Sequence, residues 1–374
     1  MHHNNYFWWR FFPHKQLTQI YVSAAIRAFA ISLISIFVPL YLHKELGFSL
    51  EQTIYFFIFY ALIFAITTPL AAKFCSKFGV KHSILMSVPL YLLFILLLYF
   101  LPTYPIPTMV ISAFLGMSLA FYWMGLHLVF KSITNHKHRG EAVGKRVSIT
   151  ISAHMLGPLV GGFLISNYGF KLVFILVSLL MFLSTYFLFL SKEKHVPFHF
   201  SVRGLVDKKH LENSLFFVAR GVRVAAGGII WPLFIFVILG SYISLGIVGS
   251  VLSGVSAVLI WFMGKYSDRI DKRKIIYWFT FPESLSWFLR SAVTTKVQVF
   301  AVTIFGALTY GAEEAPLGAL EYDKAKENIA EYFVSREIFI CLGRILLLMV
   351  VLMTDSLTSG LIFNGIANLA VLLF

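Results

Sequence analysis

The stretch Ala-His-Met-Leu-Gly-Pro-Leu-Val-Gly-Gly, residues 153–162, decides how this chain is read. It lies in an apolar run from about Val147 to Ile165, close to the roughly 20 apolar residues a helix needs to cross a hydrocarbon core. Ala153, Gly157 and Gly161 recur at every fourth residue, so one helix face is bare of side chains and fits against a neighbouring helix. Pro158 removes a backbone donor inside the run and lets it bend.

The rest of the chain has the same character. Its 374 residues are 59% hydrophobic and 17% aromatic, and only 13% are charged, outside the range of soluble domains. A net charge of +14 would point to nucleic acid in a soluble protein. Here the basic residues fall between apolar runs and report orientation instead, so nucleic-acid binding is excluded as a reading. Cys75 and Cys341 give neither a disulfide framework nor a metal-ligand spacing. The aromatic amino terminus, with Phe7, Trp8, Trp9, Phe11 and Phe12, has no small-residue cleavage site before the first apolar run. It is expected to stay attached, with its rings at the lipid headgroups.

Twelve apolar runs can be counted, beginning near residues 17, 51, 82, 106, 147, 170, 213, 242, 275, 298, 332 and 356. The longest polar connection, Ser191 to Glu212, divides them six and six. The expected fold is therefore an all-α integral membrane protein, with twelve transmembrane helices as two pseudo-symmetric six-helix bundles. Residues 1–190 form the first bundle, 191–212 a cytoplasmic linker and 213–374 the second bundle. Of the 31 Lys and Arg, only Lys44, Lys171 and Lys296 fall in one set of connections and six arginines fall inside runs. The remainder mark the other side as cytoplasmic and place both termini there. The protein is thus expected in the plasma membrane, multi-pass, as a monomer.

The halves also repeat. Arg27 and Pro39-Leu40 in the first run fall 193 residues before Arg220 and Pro232-Leu233 in the seventh. Gly125 and Lys131 in the fourth run stand at the same offset from Gly318 and Lys324 in the tenth. Parallel repeats of six helices are one plan of secondary transporters.

Gly157, Pro158, Gly161 and Gly162 resemble the fifth-helix signature of the major facilitator superfamily, in which Gly-Pro-x-x-Gly-Gly follows a small residue four positions earlier. The connection Gly264-Lys-Tyr-Ser-Asp268-Arg269-Ile-Asp271-Lys-Arg273-Lys resembles the superfamily's loop motif, with Asp271 where glycine is usual. The corresponding first-half connection keeps Gly79 and Lys81 but has Ser76 where aspartate is expected. The resemblance implies a cytoplasmic latch, assigned here to Asp268 and Arg269 with Arg139 or Arg146 as partner. It also implies that Gly157, Pro158, Gly161 and Gly162 form a smooth face against Gly246, Ser250 and Gly254 of the eighth run, over which the halves rock. Close packing within one half is the competing reading of that face.

Charges inside membrane helices turn toward protein or water. The resemblance puts the first, fourth, seventh and tenth runs around a central cavity. Arg27, Tyr122, Trp123, His127, Arg220, Arg223 and Glu314 are therefore the candidate solute-binding residues, joined by Arg344 of the eleventh run. Arg344 would lie roughly 15 to 18 Å deep at 1.5 Å per residue, where it needs an acidic partner, for which Glu314 is a candidate, or an anionic ligand. Glu313 and Glu314 are the candidate proton carriers. The competing reading makes all these charges a salt-bridge network. Arg336 and Glu337, being adjacent, are expected to point to different neighbours. Glu283 and Arg290 are expected to pair with the seventh or eighth run, and His154 to be a hydrogen-bonded core histidine.

No phosphate-binding loop and no His-Glu-x-x-His spacing occurs, so neither an ATPase nor a metalloenzyme is expected, and no cofactor. The function expected is secondary active transport of a small-molecule substrate by alternating access. Proton-coupled export of amphipathic compounds by antiport is set ahead of uptake or exchange of an anionic organic solute. A non-transporting receptor or scaffold is the third reading. The partners are the solute, the lipid bilayer and protons.

Overall fold

The computed structural model describes residues 15–133, 139–189, 193, 195–198, 208–267, 270–325 and 328–374. Long apolar runs make the regular structure of the described residues helical, with no strand among them, even though Pro69, Pro89, Pro158, Pro282 and Pro316 lie inside helices. The helices are α1 (Lys15–Ser32), α2 (Leu50–Phe78), α3 (Val80–Phe100), α4 (Thr108–Ile133), α5 (Arg139–Tyr168), α6 (Phe170–Phe189) and α7 (Lys208–Ala225). There follow α8 (Trp231–Leu239), α9 (Tyr242–Tyr266), α10 (Lys272–Ser291), α11 (Lys296–Lys324), α12 (Ile329–Thr354) and α13 (Leu357–Asn368). Among the described residues the helices of nine residues or more number thirteen, one more than the twelve apolar runs, because a π-helical segment at Ala226–Ile230 interrupts the seventh run. Among the described residues eight stretches are long and apolar enough to cross a membrane, Asn213–Leu239 being one through that segment. Helices α10 and α11 fall outside the eight; they carry Glu283, Arg290, Glu313, Glu314 and Glu321, all buried.

The sequence repeat at Pro39 and Pro232 is a repeated helix break. After α1 the chain turns through residues 33–37 and re-enters helix at Val38–Leu40, with Pro39 in the first turn. After the π segment α8 starts at Trp231 with Pro232 in its first turn. A first-turn proline costs no hydrogen bond, because that N–H has no intrahelical partner. Each broken run then ends near a left-handed glycine followed within two residues by a capping serine. Gly47 (φ +69°) precedes Ser49, which caps α2, and Gly240 (φ +70°) precedes Ser241, which caps α9.

The small residues of α5 serve two neighbours. Gly157, Pro158, Gly161 and Gly162 are buried, whereas Leu156, Leu159 and Phe163 are exposed. A Cβ at Gly157 would strike Ser32 and one at Gly161 the Leu33 carbonyl, both at the end of α1. A Cβ at Gly162 would strike the Tyr242 carbonyl of α9, and Gly246 on α9 sits equally tightly on the Pro158 carbonyl. Ser250 accepts a hydrogen bond from Leu159 N at 3.2 Å. Packing inside the first half and packing across to the second half thus use adjacent faces of one helix. Helices α5 and α9 form the most extensive interhelical contact, and α2 against α12 is the second large contact between the two halves of the chain.

The connection after α2 lacks its expected aspartate, and Glu193 stands in. Its carboxylate accepts from Lys81 N at 2.9 Å and lies 2.6 Å from His82 Nδ1 at the start of α3, where a negative charge suits the helix dipole. In the second half Asp271 caps α10 by accepting from Arg273 N at 3.0 Å. The expected latch residues Asp268 and Arg269, and the side chains of Arg139 and Arg146, lie outside the described residues.

Gly161→Val is expected to lower the melting temperature of the detergent-purified protein through about 1–3 kcal/mol of overpacking. Gly228→Ala, where an added Cβ meets nothing within 4 Å, should change stability by no more than about 0.5 kcal/mol. Equal melting shifts for the two variants would contradict the close approach of α5 to α1.

Candidate functional site

A cavity of about 370 Å³ lies between the two halves of the chain, lined from α1, α4, α5, α7, α11 and α12. Every solute-binding candidate from the sequence lines it except Arg223. A second cavity of about 330 Å³ shares Arg220, Glu314, Tyr310 and His154 with the first, and extends between α7, α9, α10 and α11 past Gly227, Gly228 and Trp231. Arg223 lines this one.

Between and beside the cavities the charges form a chain of ion pairs. Arg220 reaches Glu314 at 2.5 Å and Glu321 at 2.8 Å, the latter off the line of a good hydrogen bond. Arg223 reaches Glu313 and Glu314, each at 3.2 Å. Arg336 bonds Glu321 at 2.8 Å and also bonds its neighbour Glu337. This corrects the expectation that adjacent residues must point apart: the guanidinium is long enough to fold back and serve both carboxylates. For Arg220, Arg223 and Arg336 the salt-bridge reading is the one realised. Glu314 answers two α7 arginines and is not the partner of Arg344. Glu313 is fully buried, is held by Arg223 and by Thr280 at 3.0 Å, and lines neither cavity.

His127 ties α4 to this chain. Its Nδ1 lies 2.6 Å from the Tyr322 hydroxyl and its Nε2 lies 3.2 Å from both Glu337 and Arg336. A neutral ring has one donor and one acceptor. It therefore either donates to Glu337 while accepting from Tyr322, or accepts from Arg336 while donating to Tyr322. Phe333 stacks on one side at 4.7 Å and Trp123 lies near-parallel at 5.4 Å. Lys131 donates to the Tyr322 carbonyl at 2.6 Å, closing the same end of the cavity. At the opposite end Tyr242 donates to Glu45 at 2.5 Å and packs on Phe37 and Phe170.

Two arginines on this cavity have no carboxylate among the described residues. Arg344 donates to the Tyr60 hydroxyl at 2.8 Å and lies over the Phe64 ring at 5.0 Å, with its Nε unpartnered. Arg27 is 2% exposed, and all three of its nitrogens lack a hydrogen-bond partner. It rests on the faces of Tyr122 at 4.1 Å and Tyr91 at 5.7 Å. Such contacts are worth about 2 kcal/mol when desolvated, less than the several kcal/mol of removing a cation from water. His154 also departs from expectation. It lines both cavities and has no hydrogen bond among the described residues.

Glu283 meets neither the seventh nor the eighth run. It accepts from Trp287 Nε1 at 2.9 Å and from the Thr309 hydroxyl of α11. Arg290 does reach the seventh run, through the ring of Trp231 at 5.3 Å, while lying over Trp287 at 4.0 Å. Sequence reasoning missed Tyr60, Tyr91, Tyr310 and Tyr322 as site residues. They sit in runs rich in aromatic side chains, and no local spacing sets them apart.

The sequence model of the Major Facilitator Superfamily matches residues 20–348. The chain belongs to this superfamily. The fold agrees with it, since the crystal structure of the E. coli fucose:proton symporter FucP superposes with a TM-score of 0.68, covering 95% of this chain and 96% of that one at 11% identity. Among curated relatives, the uncharacterized protein YqgE of Bacillus subtilis (strain 168) is 25% identical over 363 residues, 92% of this chain and 83% of its own. The multidrug resistance protein MdtG of Klebsiella pneumoniae (strain 342) is 26% identical over 283 residues, 70% of this chain and 68% of its own. Members of the superfamily are transporters and not enzymes, and the chain is a multi-pass membrane protein that carries a small molecule.

The network predicts opposite signs for two neutralising changes. Glu321→Gln removes the carboxylate shared by Arg220 and Arg336 and is expected to cost about 3–5 kcal/mol. Arg27→Gln removes a charge with no partner and is expected to leave the ligand-free protein as stable as before or more so. Chemical denaturation of both variants in detergent checks this, and a larger loss for Arg27→Gln would contradict the assignment.

Proposed function

We propose that the chain is a proton-coupled exporter of amphipathic organic solutes that carry an anionic group. In this reading twelve crossings, with α7, the π segment and α8 counted as one, form two six-helix bundles with both termini in the cytoplasm. Alternating access exposes the central cavity to each side in turn.

The observation that carries the substrate class is Arg27, a buried guanidinium without a single hydrogen-bond acceptor on the wall of the cavity. A carboxylate or sulfonate seated there supplies the missing acceptor, and Arg344 adds a second cation. Tyr122, Trp123 and Leu119 on the same wall suit an apolar body. Likeness to multidrug resistance proteins supports outward movement. A receptor whose ionisable groups pair completely and fill the cavity is disfavoured by the open volume and by Arg27.

In thermal-shift assays on detergent-purified protein, 2-naphthalenesulfonate and benzoate are expected to stabilise the wild type. The gain is about 2.7 kcal/mol at a hundredfold excess over the dissociation constant. Arg27→Gln is expected to abolish it. Stabilisation by tetraphenylphosphonium alone, or an undiminished sulfonate shift in Arg27→Gln, would overturn the anionic assignment.

A further inference from the structure

Five buried glutamates line or back the two cavities: Glu283, Glu313, Glu314, Glu321 and Glu337. Four of them have an arginine within 4 Å. Glu283, 1% exposed, has none among the described residues. Its partners are neutral donors, the Trp287 indole and the Thr309 hydroxyl. We infer that Glu283, on the wall of the second cavity, is the group that takes up and releases the coupling proton, in place of Glu313 and Glu314. The inference rests on the transporter reading above.

Three features of the site support it. Protonating Glu313, Glu314, Glu321 or Glu337 gives up a buried ion pair, although the arginine concerned keeps a second carboxylate. Protonating Glu283 gives up no ion pair within 4 Å among the described residues, and weakens only the longer-range attraction to Arg290. Next, the Thr309 hydroxyl suits both states, because the carbonyl oxygens of Gly306 at 3.1 Å and Phe305 at 3.3 Å are alternative acceptors for its hydrogen. When Glu283 is ionised, Thr309 donates to it. When Glu283 holds a proton, the acid O–H donates to the Thr309 oxygen, and Thr309 turns its own hydrogen to the backbone.

The third feature is a route from the proton to the helices. The ionisable groups facing Glu283 are Arg290 on its own helix and Tyr310 and Glu313 on α11. From α13, the neutral Asn368 bonds Ser284. Arg290 is held over Trp287 and against Trp231, the first residue after the π segment, and a Cβ at Gly306 would strike its guanidinium. A change of charge at Glu283 therefore acts on the cation that braces the break between α7 and α8. π segments are frequent at functional sites, and Gly227 and Gly228 of this one line the same cavity. One proton moves per cycle, from water reaching the cavity on one side to water on the other, with no other bond made or broken.

Infrared difference spectra of the purified full chain between acid and alkaline buffers test the site without any solute. A buried carboxylic-acid carbonyl band is expected in the wild type, Arg27→Gln and Glu313→Gln, absent from Glu283→Gln and shifted in Thr309→Val. A band unchanged in Glu283→Gln overturns the inference. If Glu283→Gln does not fold, the Thr309→Val spectrum decides, and an unshifted band there overturns it equally. In pyranine-loaded proteoliposomes, an imposed 2-naphthalenesulfonate gradient is expected to drive proton movement, lost at least tenfold in Glu283→Gln while sulfonate counterflow persists. Retained proton movement in that variant also overturns the inference. Failure of the sulfonate to bind the wild type counts against the proposed solute class, and the infrared band remains as the independent test of Glu283.

Discussion

A guanidinium placed inside an apolar bundle has to be answered by a carboxylate, by a ring face or by a ligand, and the interior of this protein is arranged around that demand. Arg220, Arg223 and Arg336 receive carboxylates from α11 and α12. Arg290 and Arg344 receive aromatic faces and, for Arg344, a phenol oxygen. Arg27 receives only ring faces. The order of these answers is also an order of commitment. The first three hold helices together, while the last leaves a favourable interaction unused until something negative arrives.

The distribution of the answers matters as much as their number. Every Arg or Lys ion pair described within the bundle joins residues of the second half, α7 to α11, α12 to α11 and α10 to α11. The first half contributes Arg27, His127 and His154 to the cavity and, among the described residues, no carboxylate. A solute bound between the halves would therefore find one cation without a carboxylate in each half, Arg27 and Arg344, beside a network of paired charges in the second. The paired arginines tie α7 and α12 to α11 within the second half.

Much of the architecture could be read from the chain, because membrane helices declare themselves by length and apolarity, and repeats by offset. The Pro39 and Pro232 match was legible, but not its meaning as a helix break, which comes from backbone hydrogen bonds that no composition records. The glycines of α5 were legible as a packing face. That Gly161 faces α1 and Gly162 faces α9 was not, because adjacent positions on one helix point about 100° apart and the neighbours are set by tertiary structure. The charged residues of the site were visible as anomalies in apolar runs. Their pairing was not, since Arg220 and Glu314 lie 94 residues apart and several pairings satisfy the same composition. Glu283 had the weakest signal of all, a single carboxylate in its run.

Motion between the halves must break what joins them, and the joining contacts are of the kind that break cheaply. At one end they are His127 with Tyr322 and Glu337, and Lys131 with a carbonyl; at the middle, Arg344 with Tyr60; at the other end, Tyr242 with Glu45. Neutral hydrogen bonds of this sort contribute about 0.5–1.5 kcal/mol each, and those to a charged group about 1.5–3 kcal/mol. Breaking a buried Arg–Glu pair by losing one partner costs about 3–5 kcal/mol. Between the halves the extensive surface is the α5–α9 contact, where glycines meet backbone and few side chains interlock. A structure that puts its strong pairs inside one half, and its weak bonds and smooth faces between halves, separates along that boundary before it unfolds anywhere else.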